Sequence, residues 1–424
     1  NNNHANKHRK PAHFEQVFFI LRHYDRENAL QQTLEIRTEG NSPLVPVISL
    51  SLFAVASGFL MSLIPLALSA RGMSVDLASW LASVFYAGLL GGALISARIV
   101  GKFGHRNALV AFLIAIVATV GMMATIASPA VWLVSRFLAG VAVAGVFVVI
   151  ESWLLMADTE KARAKRLGLY MASLYGGSAL GQLGIGFFGT EGAMPLMVVA
   201  TLFSAAMLPP LIFKKGQPKI VEHSSIKLRE MRDLPSAAYI GCIVSGLVLG
   251  SIYGLLPLDL EQHYSHNQVG MLMAIVILGG MAVQPLVSWL NSRVEKALLM
   301  AMFCFAGLLA IAMIEIATVD AGLMAGLFLL GAAAFALYPV AITLACRKVS
   351  ESKIVAAAEL MLLSYSVGSV IGPVLAGKAM NTESGLMFYF AICFAATLIY
   401  MLVSTKRNRR RGANGVDDVM PVDL

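Results

Sequence analysis

Two ionisable residues, Arg136 and Glu151, sit inside one long apolar run, Ala130–Met156. A charge within a bilayer-spanning helix costs roughly 2.5–3.5 kcal/mol on insertion scales, so each needs a partner or a task. Fifteen residues separate the two, about 22 Å of helical rise, too far for a direct ion pair. At 3.6 residues per turn their directions differ by about 60°, so both can face one cavity. Arg136 is then an anchor for an anion or substrate, or an element of proton coupling. The plainer alternative is a bond to backbone carbonyls or a snorkelled end. Glu151 reads as a protonatable coupling site, or else as an inner-gate ion pair with Arg98, Lys102 or the basic loop at 161–166. Gln182 and Gln284 are uncharged polar residues inside apolar runs, able to bond either a solute or another helix. Glu359, Asp259, Glu261, Glu315 and Asp320 lie near the ends of such runs and read as interfacial.

The elements that must position these residues are helices in a bilayer. The chain has 424 residues, 58% of them hydrophobic and 13% charged, against about 25% charged in soluble domains. Twelve apolar spans are expected, roughly 45–69, 76–97, 107–127, 130–156, 167–188, 193–213, 236–258, 268–290, 297–317, 321–346, 354–377 and 385–404. About 20 residues cross the hydrocarbon core as a helix, and the period-2 alternation of an outer-membrane barrel is absent. The sequence therefore predicts an all-α polytopic membrane protein. Its expected divisions are a polar segment 1–43, cytoplasmic or not native to the protein; a bundle over 44–213; a linker over 214–235; a second bundle over 236–404; and a cytoplasmic tail over 405–424.

Glycines reveal a repeat. Gly140, Gly177, Ser178, Gly181 and Gly186 recur 191 residues later as Gly331, Gly368, Ser369, Gly372 and Gly377. Gly58, Pro65 and Gly88 precede Gly250, Pro257 and Gly280 by 192. Six spans separate the copies, so each keeps its direction, as in a transporter made of two parallel six-helix halves. Gly177 and Gly181, like Gly368 and Gly372, are small-xxx-small pairs that let helices approach closely. Pro65, Pro257, Pro339 and Pro373 each remove a backbone hydrogen bond within a span and favour bending. Bending and sliding there would serve rocking of two bundles, with static packing as the alternative.

With the N-terminus placed inside, 29 of the 32 Lys and Arg residues fall on the inner side and two, Arg71 and Lys378, on the outer side. Arg136 is the remaining one. That asymmetry orients both termini to the cytoplasm. It also accounts for the +8 net charge without a nucleic-acid partner. Cys242, Cys304, Cys346 and Cys393 are isolated in apolar runs, a pattern that suits neither a metal site nor a disulfide framework.

The loop ARIVGKFGHR at 97–106 resembles the inner loop between helices 2 and 3 of the major facilitator superfamily, G-x-x-x-D-R-x-G-R-R. Lys102, Gly104 and Arg106 fit that pattern; Ala97, Gly101 and His105 depart from it, so its acid is missing. The spacing Arg136-x-x-x-Gly140 resembles a second superfamily motif associated with proton coupling. From about Leu44 to Val403 the chain is similar to bacterial YcaD-type transporters, through VVIESWLL, GCIVSGLVLGSIYGLLPL, LGAAAFALYPVA and LLSYSVGSVIGP. The resemblance implies twelve transmembrane helices in two pseudo-symmetric bundles, and it implies that Tyr253, Tyr338 and Tyr365 face or gate a central cavity, with packing and a satisfied hydroxyl as the alternative.

The expected function is secondary active transport of a small organic solute across the inner membrane by alternating access, coupled to protons, in a monomer without cofactor. Efflux of drugs or metabolites on the same fold is the alternative, and a membrane sensor or a channel is the alternative from another class. No GxxxxGK[ST] loop is present for an ATP-driven pump, and the spans contain no histidine for the nucleophile–base pair or metal cluster of a membrane enzyme. The few charges favour a lipophilic or weakly polar solute over a sugar or a phosphate ester.

Overall fold

The computed structural model describes residues 43–155, 160–213, 234–347, 354–381 and 385–417. The polar segment 1–42, most of the linker (214–233), part of the basic loop (156–159) and the last residues (418–424) lie outside the described residues. Among those described, every regular element is helical.

In the first half, α1 is Leu44–Ala70, α2 Leu77–Thr125 and α3 Pro129–Leu155. Then come α4 (Glu160–Met171), a π-helical turn (Ala172–Gly176), α5 (Gly177–Gln182), α6 (Gly184–Phe188), α7 (Met194–Ala205) and α8 (Leu208–Ile212). The second half has α9 (Ser236–Glu261), α10 (His266–Asn291), α11 (Lys296–Ile316), α12 (Asp320–Cys346), α13 (Ile354–Met380) and α14 (Gly385–Asp417).

Ten of the described segments are long and apolar enough to cross a membrane, two fewer than the spans expected. Both differences have local causes. The second and third expected spans run together in the 49-residue α2, which reverses at Gly104 with φ 76° and ψ 159°. That backbone region is open to glycine and costly for a residue with a Cβ. The fifth expected span is broken into α4, the π turn, α5 and α6, in the stretch where five glycines weaken helix propensity. The corresponding α13 in the second half is continuous.

The repeat seen in the sequence is a repeat of contacts. A Cβ on Gly140 would strike the carbonyl oxygen of Phe85, and one on Gly331 that of Val276, at the same offset of 191. Gly181 faces the Val55 carbonyl and Gly372 the Leu247 carbonyl; Gly58 lies on Ser178 and Gly250 on Ser369. The carbonyl met by Gly88 belongs to Phe137, and its counterpart Phe328 is met by Gly279. Gly279, not Gly280, is thus the structural partner of Gly88, and the 192-residue offset read there is corrected by one. Gly280 instead lies under the Phe335 ring. These glycines join helices within each half, where close backbone approach replaces side-chain interdigitation.

Arginines close the helix ends. Arg71 donates from Nη1 to the carbonyls of Met123 and Ala124 (both 3.1 Å) and from Nη2 to Gly192 (2.8 Å). At the opposite end, Arg106 donates from Nε to Pro210 and from Nη2 to Leu211 (3.2 Å). Both satisfy carbonyls at helix C-termini, where a cation also complements the dipole. Arg106 thus ties the 97–106 loop to α8 without the acid that the superfamily loop carries. Replacing it by Ala should free that end of α8 and lower the apparent Tm in detergent by a few degrees, as loss of two charge-assisted bonds worth about 1.5–3 kcal/mol each at most would. An unchanged Tm would show those bonds to be dispensable. Lys102 is exposed, with Nζ 5.5 Å from the Phe103 ring centroid.

Candidate functional site

The two halves meet along one end. There α13 and α9 pack on α2, α9 also meets α1, and α10 meets the π turn, α5 and α6. The closest approaches are Gly377 to Ser79, Gly254 to Ala82, Gly270 to Gln182 and Gly186 to Asn267. Asn381 Nδ2 donates to Asp76 Oδ1 across the same seam (3.3 Å). Every one of these positions lies toward the end that carries residues 72–76, 189–192 and 262–266. The end that carries 98–106 and 293–296 contributes none of these close glycine contacts. The close glycine contacts between the halves are therefore gathered at the end away from the basic loops.

Gly186 and Gly377 are repeat partners, and both lie in this seam. The packing glycines Gly140, Gly177, Gly181, Gly368 and Gly372 are elsewhere, inside the halves. Periodicity along the chain cannot separate the two kinds, because both need small residues at helical spacing. Pro65 and Pro257 are buried in α1 and α9, and Pro65 lines the cavity described next. Pro339 and Pro373 lie in α12 and α13, and α10 carries a further proline, Pro285.

Beneath the seam lies a small cavity bounded by Met61, Pro65, Phe85, Tyr86, Arg136 and Tyr253. A water molecule's centre can range over about 10 Å³ within it, room for roughly one water. Arg136 is 6% exposed. Its guanidinium lies over the Phe85 ring, 4.1 Å from the centroid, a cation–π stack. Its Nε finds no hydrogen-bond partner, and no ion pair reaches it among the described residues. The expected alternatives of carbonyl bonding and snorkelling do not describe it.

From Tyr253 an aromatic wall continues away from the seam. Tyr253 and Tyr175 both meet the Phe335 ring edge-on, at 6.0 and 5.6 Å between centroids. Tyr338 and Tyr365 pair at 5.1 Å. All four tyrosines are half-buried. Tyr175 comes from the first half and the other rings from the second, so this wall bridges the two.

Glu151 lies further toward the basic loops. It is exposed and accepts a hydrogen bond from Tyr170 Oη on α4 (2.6 Å). No ion pair joins it to Arg98 or Lys102 among the described residues, and the side chains of Lys161 and Arg163, also expected as partners, lie outside the described residues. Asp259 is half-buried and Glu359 exposed, and Glu261 pairs with His266 (2.7 Å) outside the cleft.

The two glutamines are engaged elsewhere. Ser62 Oγ donates to Gln182 Oε1 (2.5 Å), a bond between α1 and α5. Gln284 Nε2 donates to the Gly280 carbonyl of its own helix (3.0 Å). Sequence reading missed Phe85, Tyr86, Tyr170, Tyr175 and Phe335. The one signal for them was the presence of aromatic residues in apolar runs, which packing explains equally well.

An all-helical chain whose two halves repeat the same helix contacts at an offset of 191 has the build of a membrane carrier made from a parallel repeat. The chain belongs to the Major Facilitator Superfamily, whose family model matches residues 47–345 and again 238–418. A relative from Escherichia coli O9:H4 (strain HS), described as an uncharacterized MFS-type transporter, YcaD, is 34% identical over 361 residues, 84% of this chain and 92% of that protein. The crystal structure of the nucleoside transporter NupG matches with a TM-score of 0.67 at 14% identity, over 85% of this chain and 96% of that one. That of the E. coli fucose:proton symporter FucP gives 0.57 at 13% identity, over 85% and 98%.

Proposed function

We propose that the protein is a proton-coupled secondary transporter that moves a small organic solute across the bacterial inner membrane by alternating access. The observation that carries this reading is the one-sided seal: the close contacts between the halves gather at one end, above an aromatic wall to which both halves contribute. The opposite end carries Arg98, Lys102, Arg106, Arg293 and Lys296. Positive loops stay in the cytoplasm, so on this reading the sealed end faces outward. Glu151 is the acid placed to exchange a proton with the cytoplasm, and FucP, a structural neighbour, is a proton symporter by its own description.

Orientation is tested with alkaline-phosphatase fusions. Those joined after Arg232 and after Lys406 should be inactive, and those near Ser128 and His263 active. An active fusion after Arg232 would overturn the twelve-span arrangement.

Alternating access is tested at the seam. Asp76→Cys with Asn381→Cys, in a background without the four native cysteines, should form a disulfide that holds the seam shut. Oxidation should reduce solute uptake into proteoliposomes at least tenfold, and dithiothreitol should restore it. Undiminished uptake by fully cross-linked protein would refute a cycle that opens this end.

A further inference from the structure

We infer that the solute is an organic monocarboxylate with an aromatic or branched apolar body, its carboxylate docking on Arg136; this rests on the transport reading above. The argument starts from a charge left without a partner. Arg136 is almost wholly buried, and none of the residues lining its cavity carries a carboxylate. Protein interiors rarely leave a buried ion uncompensated. Phe85 covers one face of the guanidinium, which leaves the N–H edge, with its unpaired Nε, for in-plane bonding. A planar two-oxygen acceptor fits such an edge in bidentate fashion.

The rest of the cavity selects among anions. Its walls are Met61, Ile64, Pro65, Phe85 and the small residues Ala78 and Ala82. A dianion would leave one negative charge uncompensated against apolar walls, which disfavours inorganic phosphate and phosphate esters. A cation would be repelled by Arg136, and a neutral solute would leave the guanidinium as it is. The hydroxyls of Tyr86 and Tyr253, whose side chains line the same cavity, are available as further donors to a carboxylate. The body of the solute then runs along Tyr253, Phe335 and Tyr175, where aromatic or branched apolar groups pack well.

The test compares acids with their uncharged amides on the purified wild-type protein in detergent, at constant ionic strength. The probes are benzoate and benzamide, phenylacetate and phenylacetamide, 4-methyl-2-oxopentanoate, benzylamine and inorganic phosphate, read by thermal shift and titration. At least one carboxylate should stabilise the protein in a saturable way, with an affinity at least tenfold above that of its amide or amine. Arg136→Gln should erase that preference, Arg136→Lys should keep part of it, and Phe85→Leu should weaken binding of the acid without removing it. The wild-type comparison stands even if Arg136→Gln fails to fold. Equal binding of acid and amide, preference for benzylamine or phosphate, absence of any acid that binds more tightly than its amide, or an acid preference surviving in Arg136→Gln would each overturn the inference. Carboxylate binding without uptake into proteoliposomes would instead overturn the transport reading, and uptake of a neutral solute without carboxylate binding would overturn only the substrate class.

Discussion

Glu151→Gln is expected to abolish accumulation driven by a pH gradient while leaving solute exchange without a gradient intact. Gln keeps the shape of the protonated acid, and its Oε1 can still accept from Tyr170, so the α3–α4 contact survives. What is lost is the ability to gain and release a proton. The side chain is exposed and lies toward the basic loops, so its proton would exchange with that end. Uptake into proteoliposomes with an imposed gradient should fall at least tenfold, with counterflow within about twofold of wild type. Tyr170→Phe should retain coupling at a reduced rate, because it removes only the donor that orients the carboxylate. Full gradient-driven accumulation in Glu151→Gln would remove this residue as the proton site and turn the search to Asp259 and Glu359.

The second large effect concerns the glycines that join helices within each half. In the interior of a helix Gly→Ala normally stabilises by about 1 kcal/mol. At Gly140 and Gly331 that gain is outweighed, because the new methyl would run into the Phe85 and Val276 carbonyls. Backbone cannot rotate away as a side chain can, so the helices must part, and overpacking of this kind costs about 1–3 kcal/mol. Gly91 and Gly121 provide controls, since a Cβ at either meets nothing within 4 Å. Gly140→Ala and Gly331→Ala should each lower the thermal midpoint in detergent and reduce the yield of monodisperse protein, whereas Gly91→Ala and Gly121→Ala should leave both unchanged or raised. A midpoint for Gly331→Ala equal to that of Gly121→Ala would show that the helices are not held by backbone contact there.

Much of this architecture was legible in the residues. Apolar runs marked out the membrane helices, because the bilayer imposes length and polarity on each segment separately. The 191-residue offset of Gly140 and Gly331 was visible because contact with a carbonyl admits no other residue. The Tyr170–Glu151 bond was not legible: the partners lie on two helices and nothing in their spacing demands a meeting. Nor could spacing show that Gly186 and Gly377 form the seam while Gly181 and Gly372 do not, since all four meet the same steric need. The break in the fifth span depends on the balance of several glycines against packing, and hydropathy does not register it.

The seam has one more consequence. Small residues in close contact and the Asp76–Asn381 hydrogen bond hold it, and no ion pair among the described residues crosses it. Mobile ions weaken attraction between exposed opposite charges within about 10 Å at 0.1 M but act little on van der Waals contact. The closure of this seam should therefore be nearly indifferent to ionic strength, and a cell facing saline or fresh surroundings would keep the same hold on it.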